Sequence, residues 1–222
     1  MSLAAFMADA QDEGPLTEWV DGEVVVHVPP TVRHQDVARL LVMLLDAFVE
    51  FFRLGRAFIA PIGLLVAPEG PLRQPDVVVV TRGNLAAVRP AYLQCPVDLV
   101  VEVLSADSIR RDRVEKMAEY ARGGVREYWV LDARAGQAGE EFYVRDESGR
   151  YRAAAADAQG VYRSSALPGF WLRTAWLRAD PLPDPWMTVA EIAGLPTSAV
   201  QAMRRARERG PLGTGQGPDG EE

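Results

Sequence analysis

The chain has 222 residues, 48% of them hydrophobic, which is enough for one domain with a sizeable core. Its net charge of −7 argues against a strongly basic protein that binds nucleic acid indiscriminately, although a local basic groove is compatible with it. Cys95 is the single cysteine, so an intrachain disulfide and a zinc site built from several cysteines are excluded, and we expect a cytoplasmic protein.

The first 15 residues are small and acidic, and we expect them to be flexible. They carry no pattern typical of a signal peptide, and no stretch approaches the roughly 18 consecutive apolar residues of a membrane span, so we expect no membrane partner. The Val-rich segment 19–28, with a DG turn, predicts a strand or a hairpin. Thr31 is then placed to cap a long amphipathic helix over 32–54, which Gly55 would end.

Three Val/Ile-rich runs follow the long helix, at 57–67, 74–81 and 97–104. The first is broken by Pro61 and Gly63, whereas the other two are nearly continuous, which predicts central strands covered on both faces. Segment 105–108 offers N-cap residues for a helix over 109–122, and Gly123 and Gly124 would end it.

The remaining segments complete an α/β pattern. A strand is predicted at 125–132 and an antiparallel hairpin at 140–155, so residues 16–179 read as one domain on a mixed sheet with flanking helices. Prolines from 181 onward predict a linker with accessory helices over 180–209, followed by a disordered tail over 210–222. Segment 189–209 superficially resembles half of a helix-turn-helix, but an accessory helix is the interpretation that we favour.

Two carboxylates and a lysine are the main candidates for a metal-binding or catalytic site. Glu102 lies inside an apolar run, Asp76 begins the preceding run, and Lys116 lies in the helix that follows. A buried ionised carboxylate costs several kcal/mol unless it is paired, and two together raise each other's pKa. Mg²⁺ or Mn²⁺ would resolve this conflict, and a nearby lysine could steady a water nucleophile. The residues alone leave open a structural ion pair of Glu102 with Lys116 or with an arginine.

Longer motifs carry a family resemblance. PDVVVV at 75–80, DLVVEVLS at 98–105 and DRVEKMAEYARGGVREYWVLD at 112–132 resemble the Uma family, whose members are described as putative restriction endonucleases of the PD-(D/E)xK nuclease superfamily. DGEVVV at 21–26 and LPGF at 167–170 fit the same family, and the similarity covers about 16–178. The resemblance implies a PD-(D/E)xK nuclease-like mixed central sheet with flanking helices and a C-terminal hairpin. It also implies a Mg²⁺- or Mn²⁺-dependent endonuclease that hydrolyses phosphodiester bonds of DNA.

The resemblance assigns roles to individual residues. Asp76 matches the Asp of the PD motif, Glu102 matches the second acidic ligand, and the carbonyl of Val103 would supply a further ligand. The usual lysine position falls on Leu104, which cannot act as one. We therefore expect Lys116, 14 positions after Glu102, to be a displaced catalytic lysine.

The helix that carries Lys116 supplies neighbours for it. Asp112, Lys116 and Tyr120 are spaced i, i+4 and i+8 and so share one helical face. If Val114 and Tyr120 belong to the buried stripe, Lys116 lies on its flank, where it could point into a cleft or pair with Asp112 in solvent.

Further candidates surround these residues. An early acidic residue often lines the metal site in this superfamily, and Glu23 or Glu18 could fill that place. His34 could contact a phosphate or orient a metal-bound water. The basic run Arg110, Arg111 and Arg113 is the best candidate for phosphate contacts. The competing hypothesis is a catalytically silent nuclease-fold binding module or regulatory dimer, and a homodimer is expected because many nucleases cut two strands symmetrically.

Overall fold

The computed structural model describes residues 1–9, 17–134 and 139–210. The helices within these ranges are α1 (Leu3–Asp9), α2 (Val32–Phe51), α3 (Met117–Gly123), α4 (Thr174–Arg178), α5 (Pro185–Ile192) and α6 (Thr197–Arg209). A 3₁₀-helix spans Arg82–Ala87, and a π-helix spans Arg111–Lys116 and runs directly into α3. None of the described helices is long and apolar enough to cross a membrane.

The strands in chain order are β1 (Thr17–Val20), β2 (Glu23–Val26), β3 (Gly55–Ile59), β4 (Leu64–Leu65), β5 (Leu72–Arg73), β6 (Val77–Thr81), β7 (Leu93–Gln94), β8 (Leu99–Val103), β9 (Glu127–Asp132), β10 (Gly139–Arg145), β11 (Tyr151–Ala154), β12 (Val161–Arg163) and β13 (Trp171–Arg173). A six-stranded sheet in the order β11-β10-β9-β8-β6-β3 forms the centre. Strands β8 and β9 run parallel and the other neighbours antiparallel, so the predicted mixed sheet is confirmed.

Both faces of the central sheet are covered. Odd-numbered residues such as Val79 and Val101 pack with α2 on one face, and even-numbered residues such as Val78 and Val100 pack with Tyr120 on the other. This alternation follows from the period-2 geometry of strands, and it confirms that the two continuous apolar runs are central strands.

Helix α2 begins as predicted but ends earlier. The Thr31 hydroxyl accepts a hydrogen bond from the His34 N–H (3.2 Å), which is an N-cap. The helix ends at Phe51 because Arg53 takes a left-handed conformation (φ 54°). Gly55 instead begins β3, where a Cβ would lie 2.2 Å from the Val80 carbonyl oxygen.

A second sheet, in the order β2-β1-β5-β4-β7, lies beside the site. It joins the N-terminal hairpin to three strands of two residues each, which are too short to leave a periodic pattern in the sequence. The run 57–67 is therefore divided between β3 of one sheet and β4 of the other.

The chain start also differs from its prediction. Residues 3–9 form α1, and Phe6, only 2% exposed, packs in a cluster with Trp19, Leu65 and Leu72. Burial of this one aromatic side chain orders a segment that composition alone marks as flexible. The predicted tail over 210–222 lies outside the described residues except for Gly210, whereas α5 and α6 occupy the segment in which accessory helices are predicted.

Candidate active site

Asp76 and Glu102 lie side by side at one end of the paired strands β6 and β8. The ladder pairs Val77 with Val101 and Val78 with Val100, so that paired residue numbers sum to 178. Asp76 and Glu102 continue this register just beyond the last pair. Residues opposite one another in an antiparallel ladder point to the same face, with Cβ atoms roughly 5 Å apart. The predicted proximity of the two carboxylates therefore follows from strand register.

Lys116 reaches this pair of carboxylates from the helical segment above the sheet. Its Nζ lies 2.8 Å from Glu102 Oε1, 3.2 Å from Glu18 Oε1 and 3.4 Å from Asp112 Oδ1. The Tyr120 hydroxyl donates to the same oxygen of Glu102 (2.8 Å). Asp112, Lys116 and Tyr120 thus share one helical face, and that face is turned toward Glu102.

The π-helix corrects the expected position of Lys116 on the helix. Lys116 is only 3% exposed and lies at the centre of the buried face, whereas Val114, expected in the buried stripe, is 57% exposed. The reason is that a π-helix holds more residues per turn than an α-helix. The α-helical period of 3.6 residues therefore assigns the wrong residues to the buried face in this segment. The solvated Lys116–Asp112 pair considered from the sequence is not what forms, because both side chains are buried.

A layer of ion pairs supports Lys116 from the second sheet. Glu18 of β1 lies opposite Arg73 of β5, by the register that pairs Trp19 with Leu72, and Arg73 Nη1 lies 2.9 Å from Glu18 Oε2. Arg73 also makes a two-pronged pair with Glu119, at 2.7 Å and 2.6 Å. Glu18, not Glu23, is therefore the early acidic residue at the site.

Asp76 is held from two sides. Its Oδ2 accepts the backbone N–H of Val103 (2.7 Å), and its Oδ1 lies 3.0 Å from His34 Nε2. The α2 N-cap at Thr31 thus positions the first helical turn that carries His34. Val103 meets Asp76 through its amide, so a metal-binding role for its carbonyl stays a prediction.

Buried carboxylates outnumber buried cations around Lys116. Glu18, Glu102, Asp112 and Glu119 face Lys116 and Arg73, which leaves a formal charge of −2 when all six groups are ionised. Burial, reinforced by the charges of Asp112 and Asp76, raises the pKa of Glu102 well above its ordinary range despite Lys116.

The same imbalance sets the charge states of Lys116 and Glu18. Burial opposes the charge on Lys116, but the surrounding carboxylates outweigh it and raise the pKa of this ammonium group. Burial likewise opposes the charge on Glu18, yet Lys116, Arg73 and the Gln74 N–H hold the pKa of this carboxyl well below its usual value. The surrounding carboxylates therefore favour the charged form of Lys116, whereas burial disfavours the charged form of Glu102 in the absence of a further positive partner.

A cavity of about 100 Å³ opens onto these side chains. Within the described ranges, four buried side-chain atoms have no hydrogen-bond partner, and all four belong to residues that line this cavity: His27 Nε2, His34 Nδ1, Arg111 Nε and Asp112 Oδ1. His27 Nε2 lies 3.3 Å from Glu18 Oε2, which is an ion-pair distance without hydrogen-bond alignment. Asp112 Oδ1 likewise lies 3.4 Å from Lys116 Nζ, so His34 Nδ1 and Arg111 Nε are the two atoms of these four without an ion-pair neighbour. Buried polar atoms without partners call for them, so the cavity suits a small polar ligand. A larger depression of about 830 Å³ is also lined by His34, but neither Asp76 nor Glu102 lines it.

The donor set fits a hard cation rather than a soft one. Among the described residues, no group of three or more His, Cys, Asp or Glu side chains forms a ready-made metal cage. Mg²⁺ does not require such a cage, because it is usually held by one or two carboxylates together with waters and substrate phosphates. Asp76 and Glu102 are two such carboxylates, placed where the local charge is negative.

The three predicted phosphate-binding arginines have different surroundings. Arg113 Nη2 lies 2.6 Å from Glu141 Oε1, so this side chain is engaged away from the cavity. Arg110 is exposed and borders a neighbouring depression together with Glu23. Of the three, Arg111 is the one that lines the cavity, and its Nε is buried without a hydrogen-bond partner.

Sequence reasoning missed Arg73, Glu119 and His27. Arg73 follows Leu72 in a strand of two residues, which gives no sign that a guanidinium is buried there. One signal was available for the lysine: Lys116 is the only lysine in a chain with 24 basic residues, so arginine serves at every other basic position. A single lysine among arginines indicates a position that the guanidinium group does not fit.

Comparisons with known proteins bear on the family and the fold. The chain matches the family model described as "Uma2: Putative restriction endonuclease" over residues 4–175. Its fold is similar to the crystal structure of a putative nuclease belonging to DUF820 from Anabaena variabilis ATCC 29413, with a TM-score of 0.61 and 16% sequence identity over 80% of this chain and 97% of that one. No curated protein matches the chain. The structural likeness confirms the predicted nuclease-like fold, and the family match shows that this chain belongs to the Uma2 family of putative restriction endonucleases.

Proposed function

We propose that this protein is a divalent-metal-dependent endonuclease that hydrolyses phosphodiester bonds of DNA. The main observation that supports this proposal is the strand register that sets Asp76 beside Glu102, with Lys116 Nζ 2.8 Å from Glu102. Asp76 and Glu102 would hold Mg²⁺ or Mn²⁺, which when bound supplies an activated water and neutralises charge on the scissile phosphate.

Other residues of the site would have catalytic or positioning roles. Lys116 keeps its proton at neutral pH, so it acts as a positive charge and hydrogen-bond donor to the phosphate oxygens rather than as a base. Tyr120 orients Glu102, and His34 with the Val103 N–H orients Asp76. Arg111 is placed to contact a phosphate next to the scissile one.

The test of this proposal is a plasmid-nicking assay with Mg²⁺ and with Mn²⁺. Asp76→Asn is the sharpest variant, because the amide oxygen can still accept the Val103 N–H while the charge is removed. We expect cleavage to fall at least about a hundredfold, the scale seen when a major electrostatic contributor is removed. The exposed Glu23→Gln serves as a control with the same loss of charge. Equal cleavage by wild type and Asp76→Asn would defeat the assignment.

The competing proposal is a nuclease-fold binding module without turnover. The observation that favours it is the tight enclosure of Lys116 by three carboxylates, which also suits a purely structural ion-pair cluster. DNA binding without cleavage in any divalent metal would select this alternative. The expected homodimer stays a prediction, and light scattering of the full chain measures it directly.

A further inference from the structure

Helix α6 is a basic element on an acidic protein. It carries four arginines and one glutamate, a formal charge of +3. Taking these residues from the 24 basic and 31 acidic residues of the chain leaves 20 and 30, a formal charge of −10 for the rest. A phosphate backbone is thus repelled by the bulk of the molecule and attracted to this helix.

Helices α5 and α6 have the layout of a helix-turn-helix. Four residues, 193–196, join them, and Gly194 takes a left-handed conformation (φ +65°) in open space. A short turn of this length containing glycine is typical of the motif. The pair lies beyond the family match, which ends at residue 175, so the family does not account for it.

The two helices are anchored unequally. Ala190 and Ile192 of α5 are buried, and Ile192 belongs to the core cluster that includes α2. No residue of α6 is buried. Asp184 joins the two helices, because it caps α5 through the Met187 N–H (3.0 Å) and pairs with Arg207 of α6. The first helix is therefore fixed to the body and presents the second to solvent.

The side chains of α6 suit a DNA duplex. Thr197, Ser198 and Gln201 are exposed near its N-terminus, where a recognition helix contacts base edges. Arg204, Arg205 and Arg209 are exposed toward its C-terminus and can contact phosphates. The helix has no Trp, Phe or Leu, the residues with which an interfacial helix enters a lipid surface.

We propose that α5 and α6 form a helix-turn-helix unit that binds duplex DNA, with α6 in the major groove. The choice of DNA as partner rests on the proposed function. This proposal competes with the interpretation of the segment as an accessory helix, since Ala199, Val200 and Met203 of α6 are half-buried and its other residues are exposed.

The first experiment measures binding of the full chain to a fluorescent 20-base-pair duplex by anisotropy, in EDTA and over a series of salt concentrations. The test variant replaces Arg204, Arg205 and Arg209 with alanine, which preserves helix propensity. The control variant replaces the exposed Arg82, Arg122 and Arg163 with alanine, so its loss of charge is the same. Melting temperatures of all three proteins verify folding.

We expect the α6 variant to bind at least about tenfold more weakly, and its salt slope to fall by about 0.9 for each lost phosphate contact. The control variant should stay close to wild type. Equal weakening of both variants, or no binding by wild type, would overturn the proposal. Binding to anionic phosphatidylserine vesicles but not to the duplex would overturn it as well.

A second experiment tests the groove assignment by selection from a pool of randomised duplexes. Replacing Thr197, Ser198 and Gln201 with alanine should change the sequences that are enriched, and unchanged enrichment contradicts placement of α6 in the major groove. Since binding is measured without metal, the two proposals fail separately. Cleavage with binding independent of α6 defeats this inference alone, whereas binding through α6 without cleavage in any metal defeats the nuclease assignment alone.

Discussion

At the scale of single residues, Lys116 shows how burial and neighbouring charges together determine the protonation of a side chain. A buried ammonium group would normally lose its proton, but three carboxylates within 3.4 Å keep it charged. The family resemblance led us to expect Lys116 near Glu102, because the usual lysine position falls on Leu104. The sequence could not predict Arg73 or the choice of Glu18 over Glu23, because those contacts come from a sheet of very short strands.

Replacing Lys116 with methionine should abolish cleavage and also weaken the fold. Removing one member of a buried ion-pair cluster leaves unneutralised carboxylates, which costs about 3 to 5 kcal/mol. Lys116→Arg keeps the charge but not the compact ammonium group, so it should restore only part of the lost stability and none of the activity. Urea unfolding and single-turnover nicking measure the two effects. Recovery of cleavage by arginine would contradict a role that is specific to lysine.

Glu18 provides a pH-dependent test of the same cluster. Because the pKa of Glu18 is lower in the folded chain than its ordinary 4.5, the ionised carboxylate stabilises the fold above pH 4.5. That contribution is lost as the pH falls through the lower folded value. Glu18→Gln should therefore lower the free energy of unfolding by about 3 to 5 kcal/mol at pH 7. This difference in unfolding free energy between wild type and variant should narrow below pH 4.5.

Denaturant unfolding of wild type and Glu18→Gln between pH 3 and pH 7 measures this difference. Glu23→Gln, an exposed change on the same hairpin, should stay within about 0.5 kcal/mol of wild type throughout. A difference that did not vary with pH would show that Glu18 acts through packing and not through its charge.

At the scale of elements, helical phase explains the main error of sequence reasoning. Helix α2 obeys the 3.6-residue period, and its apolar face, its start and its N-cap were all predictable. The segment at 111–116 is π-helical, so the same period misplaced Val114 and Lys116. Intervals of π-helix are often found at functional sites. Here that interval turns Lys116 inward.

Strand β9 holds a buried carboxylate with a different task. Glu127 is fully buried and is surrounded by donors: Trp129 Nε1 (2.6 Å), Tyr162 OH (2.8 Å), Ser164 Oγ (2.9 Å), Ser165 N (2.8 Å) and Oγ (3.0 Å), and Ala166 N (2.7 Å). It fixes the turn before Phe170, which packs edge-on against Phe48 of α2. A carboxylate satisfied by neutral donors in this way stabilises structure, in contrast to Glu102.

Glu127→Gln should therefore destabilise the protein by about 3 kcal/mol, because the amide NH₂ would face groups that themselves donate. The matched control is Glu147→Gln, an exposed turn residue, for which we expect a change within about 0.5 kcal/mol. Chemical denaturation compares the two. A Glu127→Gln protein as stable as the control would mean that the turn has other support.

At the scale of the whole molecule, the excess of buried negative charge predicts a response to metal. Divalent cations that bind only the folded state should raise the melting temperature, with about 2.7 kcal/mol gained at a hundred times Kd. Glu102→Gln should remove this response while leaving metal-free stability equal or improved, since it relieves repulsion by Asp76 and Asp112.

Thermal melting of wild type and Glu102→Gln, with and without Mn²⁺, measures both effects together. A marked loss of stability in the metal-free variant would instead identify Glu102 as a structural anchor for Lys116. That is the ion-pair interpretation which the sequence left open.

The ion pair between Glu18 and Lys116 joins the second sheet to the π-helix across 98 residues of chain, and it therefore has a consequence during synthesis. Translation at about 5 to 20 residues per second places roughly 5 to 20 seconds between the two side chains. Throughout that interval the nascent polypeptide contains Glu18, which lines the cavity, but not yet Lys116. A growing chain therefore cannot assemble the proposed catalytic centre, and the proposed nicking activity would begin only after the ribosome has passed Lys116.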